Sequence, residues 1–377
     1  MDLKDFIAGT YQEQGEYRCF IPEKINHIWC WSNSLIDTLL EEANLKLGEL
    51  NAFSLYVPNI ELFIRMQVVK EATSSSRIEG TRTEIGEAVL SEEYVSVERR
   101  DDWREVNNYI KALNYAIGLL KELPLSSRLI REAHRELMSG VRGKTKNPGE
   151  FRQSQNWIGG ATIKDAIYIP PVHTVIPELI TDLEYFMHNN KIAVPHLIRI
   201  AIIHYQFEAI HPFLDGNGRI GRLLIPLYLV SKDLLAKPII YLSDYFEKHR
   251  SLYYDTLRFV SDSSQLERWI QFFLIAVAET CKKEITMLQS ILVMKERLEN
   301  ETIIVLDRRI SNAKRLLNLL YTKPSVTGTD VAKELNLTPL TANNLIDDFI
   351  RLGILRETTG RKRNRIYVFD EYLSKFK

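Results

Sequence analysis

Ile203-His204-Tyr205-Gln206-Phe207-Glu208-Ala209-Ile210-His211-Pro212-Phe213-Leu214-Asp215-Gly216-Asn217-Gly218-Arg219-Ile220-Gly221-Arg222 is the stretch that orders the rest of this chain. An apolar run of helical period, with Leu197, Ile200, Ala201, Tyr205 and Phe207 on it, arrives at His211. Pro212 ends it, because proline disfavours the α region for the residue before it. Gly216-Asn217-Gly218 tolerates positive φ or close backbone approach, and a second apolar run from Ile220 to Val230 resumes as a helix. The stretch therefore reads as helix, glycine-rich turn, helix N-terminus. Such a turn aims several backbone N–H groups at one point and adds the positive end of a helix dipole, a geometry that receives phosphate. Arg219 and Arg222, on neighbouring helix positions, add forked donors for phosphate oxygens. Asp215 offers a hard oxygen ligand for Mg²⁺, and His211 is the residue type that takes a proton from a hydroxyl near neutral pH.

Plainer readings compete. A lone Asp-Gly-Asn-Gly is ordinarily an interhelical turn. Glu208-Ala209-Ile210-His211 matches half of a di-iron site, which needs a second Glu-x-x-His that this chain lacks. His204, Glu208 and His211 could share a helix face and hold a metal, but nothing nearby completes that site, and His204 reads as a core histidine. A base, a carboxylate, a nest and two arginines within twelve residues favour phosphate.

His211-Pro212-Phe213-Leu214-Asp215-Gly216-Asn217-Gly218-Arg219-Ile220-Gly221-Arg222 resembles the Fic family signature H-P-F-x-[DE]-G-N-G-R-x-x-R at every defined position. Family members are mostly adenylyltransferases that move AMP from ATP onto a protein hydroxyl. Upstream, Ser75 and Glu79 are four apart and so share a helix face. Ser75-x-x-x-Glu79-Gly80 resembles the family's inhibitory motif, which implies that Glu79 pairs with Arg222. A carboxylate bound bidentately to Arg222 would occupy the fork that a γ-phosphate uses. Asn156 to Pro171 reads as a β-hairpin, with Trp157–Gly160 and Ala166–Pro171 flanking a polar tip at 162–165. In the family such a flap pairs with the target's backbone, as in strand addition. Ile163 or Lys164 would then clamp the modified side chain. The resemblance also raises Tyr253 and Tyr254 as adenine-side residues; aromatics at their spacing are core by default.

Length and composition frame this reading. The 377 residues suggest two or three domains, and 45% apolar with 26% charged residues are ordinary for a soluble protein. Lys plus Arg equals Asp plus Glu at 49 each, so the whole-chain field steers neither nucleic acid nor membrane. Cys19, Cys30 and Cys281 are unpatterned, which fits a reducing cytoplasm, and no apolar run reaches spanning length. The expectation is a cytoplasmic protein with no membrane partner.

The predicted fold is mainly α: a Fic-type helical bundle with a β-hairpin flap and a C-terminal winged helix-turn-helix. Residues 1–100 form an N-terminal helical region carrying the inhibitory helix, 101–285 the catalytic core, 286–306 a helical connector and 307–377 the winged module. Residues 1–30 read as an arm without an assigned job, Ser74–Gly80 as a poor helix stretch, and Thr81–Leu90 as helical again. The basic loop 140–149, with Arg142, Lys144 and Lys146, reads as solvated. In the last module Thr338 caps a helix bearing Thr341, Asn343 and Asn344, and a basic turn spans 361–365. DNA binding and protein docking stand level there, since Asp347 and Asp348 lie on the same helix.

The favoured expectation is AMP transfer from ATP, with Mg²⁺ on Asp215, to a Ser, Thr or Tyr hydroxyl of a target protein. His211 would be the base. Gly216, Asn217 (its side chain included), Gly218, Arg219 and Arg222 would hold the phosphates, and Glu79 would inhibit. Two alternatives are removal of AMP at the same site and a nucleotide-responsive regulator acting through residues 307–377. Self-modification and a homodimer are left open.

Overall fold

The computed structural model describes residues 1–57, 59–140, 145–360 and 365–376. Its first ordered unit is a hairpin, β1 (Gly9–Gln14) and β2 (Tyr17–Pro22), antiparallel with Gln14 opposite Tyr17. Gly15 takes the positive φ of 67° that this tight turn requires. The arm thus has regular structure that its mixed composition concealed. Phe20 N–H donates to Ile169 O at 2.8 Å, so β2 borders the flap segment.

α1 (Ser34–Tyr56) starts where the Asn33 side chain accepts from Leu35 N–H. α2 (Ile60–Ile78) follows and runs unbroken through Ser74, Ser75 and Ser76, all buried. The low helix propensity of serine is a few tenths of a kcal/mol per residue, and burial against the body outweighs it. Gly80, at φ 103°, ends the turn. The expected helix over 81–90 shrinks to α3 (Ile85–Ala88), followed by short 3₁₀ turns. Next come α4 (Arg100–Leu119), α5 (Ser127–Leu137, capped by Ser126) and α6 (Ile176–His188).

α7 (His196–Ile210) is buried at nearly every position and is the axis of the bundle. α8 (Asn217–Ser231) returns beside it, equally enclosed. α9 (Ser243–Lys248), α10 (Arg250–Ser263) and the long α11 (Leu266–Arg297) complete the body. Trp269 Nε1–H on α11 donates to Ala201 O at 2.7 Å, pinning that helix to α7. α11 is continuous past residue 285, so the expected boundary there falls inside one helix.

After a break at Asp307 (φ 42°) the chain forms α12 (Ile310–Thr322), β3 (Ser325–Thr327), α13 (Gly328–Glu334), α14 (Pro339–Arg351), β4 (Arg356–Glu357), β5 (Ile366–Val368) and α15 (Asp370–Ser374). The strands form an antiparallel sheet in the order β3-β5-β4. Tyr321 and Tyr372 pack on Phe63 of α2, at 5.8 and 6.5 Å between ring centroids. Asp348 turns inward and is 4% exposed, paired with Arg309 and Arg351, so it does not add to a surface charge. The basic turn at 361–364, like Arg142 and Lys144, lies outside the described residues.

The expected flap hairpin is not a two-stranded ribbon. It reduces to one bridge, Ile158 with Tyr168, and its tip is a 3₁₀ turn, Ile163–Asp165. Gly159 and Gly160 sit at φ 72° and 75°, outside strand space, while Pro170 and Pro171 have no N–H to give a ladder. Among the described residues no helix is long and apolar enough to cross a membrane.

Candidate active site

α7 ends on His211, which is left-handed at φ 49°, ψ 60°, a conformation uncommon for a residue with a Cβ. Arg152 holds it there: Nε donates to His211 O at 3.0 Å and Nη2 to Ile210 O at 3.5 Å. The imidazole Nδ1 lies 3.3 Å from Glu208 O. A carbonyl can only accept, so the proton sits on Nδ1 and Nε2 keeps its lone pair. Burial, then the Arg152 charge, push the His211 pKa down to about 4, so the ring is a neutral acceptor at pH 7.

The loop that follows is tied closed from within. Asn217 Oδ1 accepts from Phe213 N–H and Nδ2 donates to Phe213 O, both at 2.8 Å, and the side chain is 2% exposed. That amide therefore shapes the turn rather than facing the cavity, unlike the expected phosphate contact. His134 braces the loop from α5. It accepts from Gly149 N–H at Nδ1 (2.8 Å), donates to Asp215 O at 3.0 Å and stacks on Phe213 at 3.7 Å. Gly216 takes φ 77° and α8 begins at Asn217, so the first free N–H groups of α8 lie at the glycine-rich turn.

Both arginines stand on the first turns of α8. Arg219 is 6% exposed and pairs with Glu105 at 3.3 Å and Asp215 at 3.4 Å, while its Nε has no partner among the described residues. Arg222 is 2% exposed and engages the end of α2. Nε donates to Ser75 Oγ (2.9 Å), and Nη2 to Ser75 O (3.0 Å) and Glu79 Oε1 (2.6 Å). The contact exists, but through one carboxylate oxygen rather than the bidentate pair expected from the sequence. Its cause lies in the last turn of α2. Glu79 N–H tightens onto Ser76 O, which frees the Ser75 carbonyl for the guanidinium, at the negative end of the helix. Burial opposes charge on Glu79, yet Arg222, with Arg219 and His211, holds its pKa below the usual range. The space around Gly218 is full: a Cβ there would lie 2.4 Å from Glu79 Oε1 and 3.0 Å from Arg222 Nη1.

Glu79, Asp101, Arg104, Glu105, Asp215 and Arg219 face a cavity of about 260 Å³. Pockets that enclose a drug-sized ligand run roughly 300–1,000 Å³. The cavity has room for part of a nucleotide while Glu79 stays in place. The Asp215 side chain is 44% exposed at this cavity, the placement of a single carboxylate that completes its cation's shell with phosphate and water oxygens. Among the described residues no cluster of three or more His, Cys, Asp or Glu could hold a metal alone. The donor set thus fits Mg²⁺ arriving with a polyphosphate.

His204 is a core histidine, as its sequence setting suggested: Nδ1–H donates to Gly221 O and Nε2 accepts from Tyr253 O–H, each at 2.9 Å. Tyr253 is consequently enclosed, 1% exposed and stacked on Phe246 at 4.5 Å. Tyr254 is 41% exposed, its ring packed on Tyr253 at 5.2 Å between centroids with the Arg250 guanidinium 5.9 Å from its own. In the flap tip Ile163 is half-buried, while Lys164 is exposed and pairs with Glu16 of the N-terminal turn at 2.7 Å. Arg152 escaped sequence reading altogether, because its partners are backbone carbonyls that no side-chain motif records.

These buried rings set an acid limit on stability. Burial lowers the pKa of His134 to about 4, of His204 to about 3 and of His211 to about 4, against 6.5 when unfolded. Their stabilisation is complete above pH 6.5 and is lost as pH falls toward 4, since only the unfolded chain takes up those protons. Glu208, raised by burial to about 7, and Glu71, also raised by burial, act in the opposite sense over the same window. The histidines outnumber them. Urea unfolding free energy is expected to drop as pH falls from 6.5 to 4.5, by about 1.4 kcal/mol per pH unit for each buried ring that no buried carboxyl offsets. A flat profile there would contradict the neutral-ring assignment.

The Fic/DOC family N-terminal model matches residues 38–118 and the Fic/DOC family model residues 124–229. A protein adenylyltransferase Fic of Drosophila erecta is 31% identical over 132 residues, 34% of this chain and 25% of that protein. One from Aedes aegypti is 29% identical over 194 residues, 48% of this chain and 36% of that protein. A probable protein adenylyltransferase of Aquifex aeolicus is 29% identical over 176 residues, 47% and 52% of the two chains. The chain thus spans a quarter to about half the length of these curated relatives. The crystal structure of a Fic family protein from Desulfovibrio desulfuricans covers 90% of this chain and 96% of its own, at TM-score 0.57 and 20% identity. A Fic domain containing signaling protein from Bacteroides thetaiotaomicron covers 68% and 97%, at TM-score 0.53 and 19% identity. These two structures share the fold.

Proposed function

Because the chain belongs to the Fic/DOC family, we propose that it transfers AMP from ATP to a Ser, Thr or Tyr hydroxyl of a target protein. The observation that carries this reading is the convergence at one helix start. Asp215 and Arg219 line one cavity with Glu79, Arg222 grips that same Glu79 at 2.6 Å from the first turns of α8, and a neutral His211 ends α7 directly before the turn into α8. Nε2 takes the proton of the attacking hydroxyl. Its oxygen forms the new bond to the α-phosphorus, the α–β bridging bond breaks, and pyrophosphate leaves. The N–H groups of Asn217 and Gly218 and the two guanidiniums hold the departing phosphates, while Gly216 N–H donates to Asp215 Oδ1 at 2.6 Å, so catalysis is mostly positioning and charge stabilisation. Asp215 would hold Mg²⁺, which supplies charge neutralisation on the phosphates. Glu79 restrains the reaction by occupying Arg222, a forked donor that would otherwise be open to the γ-phosphate. Tyr254 would flank the adenine, and the flap around Ile163 and Lys164 would receive the target.

A second reading uses the same site in reverse: Glu79, whose carboxylate also lines the cavity, would orient water to release AMP from a modified protein. The two separate by product. Incubated with lysate and ATP labelled at the α- or the γ-position, the transferase is expected to fix α-label and no γ-label on protein. Fixed γ-label would overturn it, and release of AMP from labelled protein by the unmodified chain, lost in Glu79→Gly, would favour the reverse reaction.

A further inference from the structure

Arg152 is 2% exposed, and among the described residues no carboxylate pairs with it. Its guanidinium is spent on backbone oxygens: His211 O at 3.0 Å, Ser154 O at 3.1 Å, Ile210 O at 3.5 Å and, through Nη2, Pro171 O. Its own N–H donates to Pro212 O at 2.9 Å. Two of these carbonyls close α7 at the base, and two open and close the flap segment. A buried cation with no counter-charge is costly to keep, and burial brings its pKa down to about 10. A neutral amide could satisfy one or two carbonyls, but only a planar fork with five donors spans four from both segments.

We propose that Arg152 is a positioning residue for the transfer: it locks the His211 turn and the 154–171 flap into one unit, so that base and docked hydroxyl stay in register. This rests on the transferase reading above. Two other contacts run along the same seam: Tyr168 O–H donates to Ala209 O at 2.8 Å and Asn156 Nδ2 to Phe213 O at 2.9 Å. Neither touches the His211 carbonyl, which Arg152 alone holds among the described residues. The charged groups around the imidazole are Arg152, Glu79 and Asp215, with the Glu208 carbonyl on Nδ1. Arg152 is the cation that the flap side contributes, and it disfavours a second proton on the ring.

The test uses Arg152→Lys and Arg152→Gln in the Glu79→Gly protein. Lysine keeps the charge and most of the stem, so it carries the test if the glutamine variant melts below assay temperature. Both are expected to lower kcat on the order of 100-fold while KM for ATP stays within about threefold, because register and not nucleotide binding is lost. Amide exchange at Ile158 and Tyr168 should accelerate in both. The His211 ring, followed by NMR without nucleotide, should titrate higher in Arg152→Gln and unchanged in Arg152→Lys. Unchanged flap exchange and unchanged kcat per folded molecule in Arg152→Lys would overturn the proposal, as would a loss confined to thermal stability. If the Glu79→Gly parent transfers no AMP, the transferase reading fails separately, while exchange and titration still decide whether Arg152 couples flap to base.

Discussion

Glu79→Gly is expected to raise incorporation of α-label from Mg²⁺-ATP into protein by about 10- to 100-fold. The size follows from the contact removed. A hydrogen bond to a charged group contributes roughly 1.5–3 kcal/mol, and each 1.4 kcal/mol is a factor of ten. Arg222 Nη2 is held at 2.6 Å by Glu79 and at 3.0 Å by Ser75 O. Removing the carboxylate leaves a guanidinium that is 2% exposed without the carboxylate that pairs with it at 2.6 Å. The variant should therefore melt at lower temperature than the parent without nucleotide, and gain more from Mg²⁺-ATP, because a phosphate takes the vacated place. Equal labelling together with equal nucleotide-induced stabilisation would mean that Glu79 restrains nothing.

His211→Ala in the Glu79→Gly background is expected to lower transfer by about 10²–10⁴-fold with little change in ATP affinity, since general-base groups contribute in that range. The ring contacts the chain through Nδ1 and offers Nε2 to the reaction, so its loss should affect kcat and kcat/KM together. The pH dependence has a definite sign. Activity needs the neutral ring, whose pKa lies near 4, so kcat/KM should hold from pH 8 down past the ordinary histidine range and fall only toward pH 4–5. A break near 6.5 would place the ring in a wetter site than the one observed. Retention of most activity in His211→Ala would remove the base from the mechanism.

The motif from His211 to Arg222 was legible because its information is local: proline, glycines and arginines at fixed offsets already imply turn, helix start and donors. Glu79 was legible for a different reason, as a motif whose partner the resemblance named, although the Ser75 carbonyl and the single-oxygen contact needed coordinates. What escaped depended on burial and backbone. The serines of α2 look unfit for a helix until they are placed against Arg222 and the body, where tertiary packing overrides propensity. The flap promised strands from Ile158 and Ala166–Ile169, but two glycines at positive φ and two prolines left one bridge. Sheet structure appears instead at β1 and β2, where Gly15 between Tyr11 and Tyr17 is the turn signal in an otherwise mixed stretch. Asn217 shows how residue type can mislead about direction: its amide suits phosphate, but Phe213 claims both ends.

The central claim is that one cradle on α8 takes a triphosphate once Glu79 withdraws. A crystal structure of the Glu79→Gly protein with magnesium and an ATP analogue inert between the α- and β-phosphates tests it most directly. The account predicts the γ-phosphate on Arg222, the β-phosphate at the 217–218 amides, Asp215 toward the cation, and the α-phosphorus facing His211 Nε2. An analogue bound elsewhere, or with its triphosphate turned away from His211, would contradict it.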